Sequence, residues 1–152
     1  MAVKPIPEGY HSVTPYLICK GAARAIDFYR RAFDATEIMR FPGPNDTVMH
    51  AEIQIGDSRI MLADETPDYK ASQANSGNPI SLMIYVPDVD KTFKQAVSEG
   101  AKSKRAVEDQ FYGDRLGTLE DPFGHVWSIA THVEDVSEEE MQRRMSALGK
   151  TA

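Results

Sequence analysis

His50 and Glu52 stand two residues apart in the stretch Val48-Met49-His50-Ala51-Glu52-Ile53-Gln54-Ile55, which alternates polar and apolar. In a strand, residues i and i+2 leave the same face. His50, Glu52 and Gln54 therefore share one face, and Met49, Ala51, Ile53 and Ile55 share the other. An imidazole beside a carboxylate is a pair suited to general acid–base chemistry or to orienting a polar ligand. The plain alternative is a hydrogen-bonded polar pair on an exposed part of a sheet. Two such groups are too few to hold a metal, and no third partner is evident nearby. Strand parity adds Tyr16, Met61, Met83, Tyr85 and Ser128 to the same kind of face. Aromatic and thioether side chains suit an adaptable apolar pocket, or simply core packing. The candidate ligand-binding set is thus Tyr16, His50, Glu52, Met61, Met83, Tyr85 and Ser128, with His50 and Glu52 as candidate catalytic residues. His125 and His132 flank the last strand and read as end-of-strand polar groups, and His11 reads as a surface or interface residue. Trp127 has the opposite parity to Ser128 and belongs under a helix.

The elements that position these residues come as two copies of one unit. Thr14-Pro15-Tyr16-Leu17-Ile18 opens the first and Ser81-Leu82-Met83-Ile84-Tyr85 the second, an offset of 67 residues from Thr14 to Ser81. The first strand is expected over His11 to Cys19, with Pro15 at an edge or bulge position. Ala22, Ile26, Tyr29 and Phe33 recur at helical spacing and predict a helix over 22–33. Strands follow over 36–41, 48–55 and 59–63, with a turn at 42–46. The polar stretch 64–79, which contains Pro67, Gly77 and Pro79, reads as a linker. The second unit has a strand over 80–86 and a helix over 89–99 capped by Asp88, with a core face of Val89, Phe93, Ala96 and Val97. Gly100 sits where a helix-ending glycine belongs. Strands near 102–107, 115–120 and 125–131 complete it, with Asp121-Pro122-Phe123-Gly124 as a turn. Phe111 and Tyr112, before Gly113-Asp114-Arg115, either gate a pocket or clamp a loop onto the core. Ser137 opens a capping box for a terminal helix over 138–148, whose stripe of Met141, Met145 and Leu148 must dock somewhere.

The expected fold is α+β, two paired βαβββ modules whose curved mixed sheets surround a cavity. Helices cover one face of each sheet, and the other is free to curl round a ligand. The expected organisation is a single domain over 1–152, with module one at about 10–64, a linker at about 65–79, module two at about 80–132 and the C-terminal helix at about 138–148.

A chain of 152 residues with a hydrophobic fraction of 41% is long enough to bury a real core. The net charge of −6 argues against nucleic-acid and anionic-membrane partners and suits a cationic ligand. The single Cys19 excludes an internal disulfide and fits a reducing compartment. With no signal peptide or long apolar run, the expected location is the cytoplasm.

Ala25-Ile26-Asp27-Phe28-Tyr29, Ala51-Glu52-Ile53-Gln54-Ile55-Gly56-Asp57-Ser58 and Asp121-Pro122-Phe123-Gly124-His125-Val126-Trp127 together resemble the vicinal oxygen chelate superfamily, the glyoxalase/bleomycin resistance/extradiol dioxygenase proteins. The similarity covers about residues 10–132. His50-Ala51 and Ile60-Met61-Leu62-Ala63-Asp64 look like its PhnB-like branch. The resemblance implies four cavity-facing points where metal-dependent members place His or Glu. In this chain those points fall at Thr14, Met61, Ser81 and Ser128, and none is a normal ligand for a divalent metal. The implied function is metal-independent small-molecule binding, with no cofactor, by a homodimer. The alternatives are a lyase or isomerase using His50 and Glu52, with or without an unusual metal site, and a dimer that binds nothing small.

Overall fold

The computed structural model describes residues 3–72 and 78–149. The linker residues 73–77, including Gly77, lie outside the described residues. The chain forms two compact units. The first runs to Asn78 and takes in Pro122–His125, and the second is Pro79–Asp121 with Val126 onward.

The first unit holds β1 (Tyr16–Cys19), α1 (Ala22–Phe33), β2 (Thr36–Pro42), β3 (Val48–Ile55) and β4 (Ser58–Asp64). Its sheet has the order β1-β4-β3-β2. β1 runs parallel to β4, and the other pairings are antiparallel. The second unit repeats this with β5 (Ser81–Tyr85), α2 (Val89–Ser98), β6 (Lys102–Asp109), β7 (Asp114–Glu120) and β8 (Val126–His132), in the order β5-β8-β7-β6. A last helix, α3 (Glu138–Gly149), follows. The fold is α+β, two βαβββ modules each with a four-stranded mixed sheet, and neither sheet closes on itself.

Helix α1 forms where its apolar spacing places it, with Ala22, Ala25, Ile26 and Tyr29 wholly buried. Its N-terminus is capped from a distance. Gly21 has no side chain to cap with, so Asp64 at the end of β4 supplies the acceptor. Asp64 Oδ1 accepts from Gly21 N–H and Ala22 N–H at 2.9 Å each, and Oδ2 accepts from Val48 N–H at 2.7 Å. One carboxylate thus fastens the start of α1 and the start of β3 to the end of β4. Phe123, on the turn that joins this unit, packs edge-on to Phe28 with ring centroids 6.2 Å apart.

In the second unit Asp88 caps α2 through Lys91 N–H at 3.2 Å. Val89 and Ala96 are buried. The Phe93 ring lies so close to Gly117 of β7 that an added Cβ would sit 2.8 Å from its Cε2. Trp127 is fully buried and donates from Nε1 to Asp121 Oδ2 at 2.9 Å.

Three expectations are corrected. The first strand pairs only from Tyr16, because Pro15 lacks the N–H that would extend the ladder; its carbonyl alone accepts, from Met61 N–H at 3.0 Å. Met49 is exposed and Val48 is buried instead. Phe41 pairs with His50 while Pro42 pairs with Val48, so Met49 is the extra residue of a bulge that turns it out of the core. Val97 is 40% exposed. It stands 80° round the helix from Val89, beyond the stripe centred on Val89, Phe93 and Ala96.

Candidate ligand-binding site

The face of the first sheet away from α1 carries a continuous chain of hydrogen bonds. Tyr16 of β1 and Glu52 of β3 both pair in register with Met61 of the intervening β4. His50 sits one step along β3 from Glu52, on the same face. The Tyr16 hydroxyl lies 2.9 Å from His50 Nδ1. His50 Nε2 lies 2.8 Å from Glu52 Oε2. The other carboxylate oxygen, Oε1, accepts from the hydroxyl of Tyr10, which reaches in from the N-terminal segment. The structure therefore brings together Tyr16, His50, Glu52 and Met61, four of the sequence-predicted residues, and adds Tyr10. His50 and Glu52 are partly shielded, with side-chain exposures of 25% and 14%. Tyr16 is 47% exposed. Partial burial raises the pKa of its hydroxyl above the ordinary phenol value.

Apolar groups border this chain. Phe41 of β2 pairs with His50, and their rings stack with centroids 6.4 Å apart. Met39 pairs with Glu52. Arg59, which pairs with Gln54 on the same face, lays its guanidinium over the Tyr10 ring, 5.4 Å from the centroid. Its Nε is buried with no hydrogen-bond partner among the described residues.

The remaining predicted residues, Met83, Tyr85 and Ser128, lie on one face of the second sheet. Met83 pairs with Ser128, whose hydroxyl meets that of Thr118 at 3.1 Å. Tyr85 donates to Asp114 Oδ2 at 2.9 Å. Asp114 is 4% exposed, and its Oδ1 lies 2.8 Å from His132 Nδ1. His132 Nε2 in turn lies 2.7 Å from Asp135. The hydrogen bond to the Asp114 carboxylate raises the Tyr85 hydroxyl pKa. Asp114 first and Asp135 second raise the His132 pKa.

The sequence reading missed Tyr10, Arg59, Asp114 and Asp135. Asp114 shares parity with Leu116 and Thr118, so extending that strand by one residue would have exposed it. Tyr10 sits in a segment without periodicity and carries no local signal. The Phe111–Tyr112 loop has the arrangement of a clamp. Gly113 O accepts from Val133 N–H and Glu134 N–H, and Arg144 Nη1 donates to Phe111 O at 3.1 Å. A Cβ at Gly113 would sit 2.1 Å from Glu134 O, so only glycine permits this approach. His125 is buried in the first unit, with Nε2 3.1 Å from Ile18 O and 3.8 Å from Cys19 Sγ, and His11 is exposed.

Residues 10–129 match the model of the Glyoxalase/Bleomycin resistance protein/Dioxygenase superfamily, and the chain belongs to that family. The uncharacterized protein Rv0887c of Mycobacterium tuberculosis (strain H37Rv) is 40% identical over 143 residues, covering 91% of this chain and 84% of its own length. Among solved structures, TioX from Micromonospora sp. ML1 shares the fold with a TM-score of 0.66 at 24% identity, covering 81% of this chain and 99% of its own. A PhnB protein from Bacillus cereus does so with a TM-score of 0.64 at 19% identity, covering 80% and 99%.

FosX from Listeria monocytogenes, a structure of similar fold with a TM-score of 0.61 at 17% identity, holds Mn(II). The ligand points implied by the sequence resemblance are Thr14 and Met61 in the first unit and Ser81 and Ser128 in the second. Neutral hydroxyls and a thioether are weak donors for such ions. Among the described residues, no group of three or more His, Cys, Asp or Glu side chains gathers in a metal-holding arrangement. Nor is any described helix long and apolar enough to cross a membrane.

Proposed function

We propose that the protein is a metal-independent small-molecule-binding member of this family, in its PhnB-like branch. Its ligand lies on the open face of the first module's sheet, which carries Tyr16, His50, Glu52 and Met61; Met83, Tyr85 and Ser128 are proposed as ligand contacts on the corresponding face of the second module's own sheet. The observation that carries this reading is the Tyr16–His50–Glu52–Tyr10 chain. It fixes a polar row on a sheet face whose neighbours, Phe41 and Met39, are exposed and apolar. A few placed polar groups among apolar contact area is the usual make-up of a small-molecule site. The branch assignment rests on His50-Ala51 and Ile60-Met61-Leu62-Ala63-Asp64. Native mass spectrometry of the chain as purified tests the reading. A retained small molecule, lost in His50→Ala, is the expected result; an empty protein that takes up nothing from a metabolite library overturns it.

A second reading, a lyase or isomerase, is favoured by the 2.8 Å contact of His50 Nε2 with Glu52, which is how a general base is oriented. Both ring nitrogens are engaged, so Tyr16 would be the group that exchanges the proton with substrate. Turnover lost in Glu52→Gln while ligand affinity persists would select this reading.

The protein is further proposed to work as a homodimer in the cytoplasm. β2 is an edge strand exposed along its whole length, and Met145 and Leu148 of α3 are each 55% exposed. Analytical ultracentrifugation showing only monomer at micromolar concentration would contradict the dimer.

A further inference from the structure

This inference rests on reading the first sheet's open face as a ligand site. The Glu52 carboxylate accepts hydrogen bonds and gives none. His50 Nε2, 2.8 Å from it, therefore carries the hydrogen of the neutral imidazole. Nδ1 is then a bare lone pair, and the Tyr16 hydroxyl 2.9 Å away donates to it. With its hydrogen committed inward, the Tyr16 oxygen offers a lone pair to the open face. Protonating His50 inverts this. Both ring nitrogens then donate, Tyr16 accepts from Nδ1–H, and the hydroxyl hydrogen turns outward. One proton thus converts the exposed group of the site from acceptor to donor.

We infer that this face binds an aromatic ammonium, held by a hydrogen bond to the Tyr16 oxygen and by the exposed rings of Tyr16 and Phe41, and releases it when His50 is protonated. The ring faces suit a cation. Tyr16 is 47% and Phe41 49% exposed, and their ring centroids lie 5.6 Å and 6.4 Å from that of His50. Met39 adds a thioether edge at 37% exposure. The net charge of −6 favours approach of a cation.

Among the described residues, the titratable and charged groups on this face around His50 are Tyr16 from β1, Glu52 from its own strand β3, Arg59 from β4 and Tyr10 from the N-terminal segment. Tyr10 gives its hydrogen to Glu52, which leaves Oε2 for His50. Arg59 is a cation on this face, but its guanidinium lies over the Tyr10 ring, so its effect on the ligand does not depend on the state of His50. Burial holds the Tyr16 proton on, so ionisation of Tyr16 does not compete in this range.

Benzylammonium, benzyl alcohol and phenylacetate, three probes of similar shape and different charge, are titrated into the full isotope-labelled chain near pH 8 and pH 5.5 and followed by NMR. At the higher pH benzylammonium shifts the Tyr16, His50 and Met61 resonances and binds more tightly than benzyl alcohol, and the His50 ring nitrogens report hydrogen on Nε2. At the lower pH its affinity falls roughly five- to tenfold, as expected for a unit charge gained several ångströms away behind a partly screened surface. Phenylacetate shows the opposite trend. His50→Gln removes the pH dependence, with His50→Asn as a second variant should the first fail to fold. Tyr16→Phe removes the preference for the ammonium over the alcohol. Probes that bind this face with no ammonium preference, or equally at both pH values, overturn the inference while leaving the ligand site standing. If none of the three probes shifts a resonance of this face, both readings fall.

Discussion

Asp114 and His132 are opposite one another across β7 and β8, and their side chains repeat the pairing, with Oδ1 2.8 Å from Nδ1. The buried carboxylate also takes the Tyr85 hydroxyl, and the imidazole also reaches Asp135. Just beyond His132, Val133 and Glu134 donate their N–H groups to Gly113 O, and Glu134 pairs with Arg144 of α3 at 2.8 Å. The Asp114–His132 contact is therefore the sheet end of a tether that runs to the terminal helix.

That tether is expected to weaken as pH rises. The two carboxylates raise the His132 pKa above its ordinary value. A group with a raised folded-state pKa contributes stability that is fully present below its unfolded pKa and is lost as pH climbs through the folded one. The loss therefore falls in the window just above the ordinary histidine range. Melting temperature between about pH 6 and 9 should decline more in the wild type than in His132→Asn, in which this linkage is gone. Parallel curves for the two proteins would show that His132 adds nothing to stability through its charge.

Asp64 accepts from three backbone N–H groups, at the first turn of α1 and the start of β3. Asp64→Ala leaves all three without their acceptor and should cost roughly 2–3 kcal/mol in urea unfolding. Asp64→Asn keeps an acceptor oxygen for the helix and should cost less. Equal losses in the two variants would mean that side-chain volume, and not hydrogen bonding, matters at this position.

Gly117 is a contact position between sheet and helix. A methyl group there would meet Phe93 Cε2 and Val107 Cγ2, each at 2.8 Å. Gly117→Ala should destabilise by about 1–3 kcal/mol through overpacking. Phe93→Leu in the same chain should recover part of the loss, because it removes the ring atoms in the way. A double variant as unstable as the sum of the two singles would argue that Gly117 is needed for its backbone and not for space.

What could be read from the sequence followed periodicity. Helix α1 was legible from Ala22, Ile26, Tyr29 and Phe33, and the shared face of His50 and Glu52 from strict alternation, since both patterns are set by local geometry. The bulge at Met49 was not legible, because it depends on how β2 pairs with β3 and leaves no mark on β3 alone. Tyr10 and Arg59 were missed for a related reason. Their roles come from contacts made across 42 residues of chain, for Tyr10 with Glu52, or from a strand whose own alternation does not announce a cation stacked on a ring. Asp64 read as the start of the polar linker and proved to be the end of β4 and the cap of a helix that begins far earlier in the chain.

Metal content is the last expectation, and it tests the site most directly. A tightly held ion stabilises the folded chain by mass action, so removing it would lower the melting temperature. With Thr14, Met61, Ser81 and Ser128 at the ligand points that the sequence resemblance implies, no such ion is expected to be held. Protein purified without chelator should contain well under one equivalent of zinc, nickel, iron or manganese, and prolonged dialysis against EDTA should leave its melting curve in place. Stoichiometric metal, together with a melting temperature that falls on chelation and recovers on adding the ion back, would overturn metal independence. His50 Nε2 and Glu52 Oε2, 2.8 Å apart on the open face, would then be the donors to examine first. His50→Ala should in that case lower both the metal content and the melting temperature, whereas without a metal it should leave the melting temperature near that of the wild type.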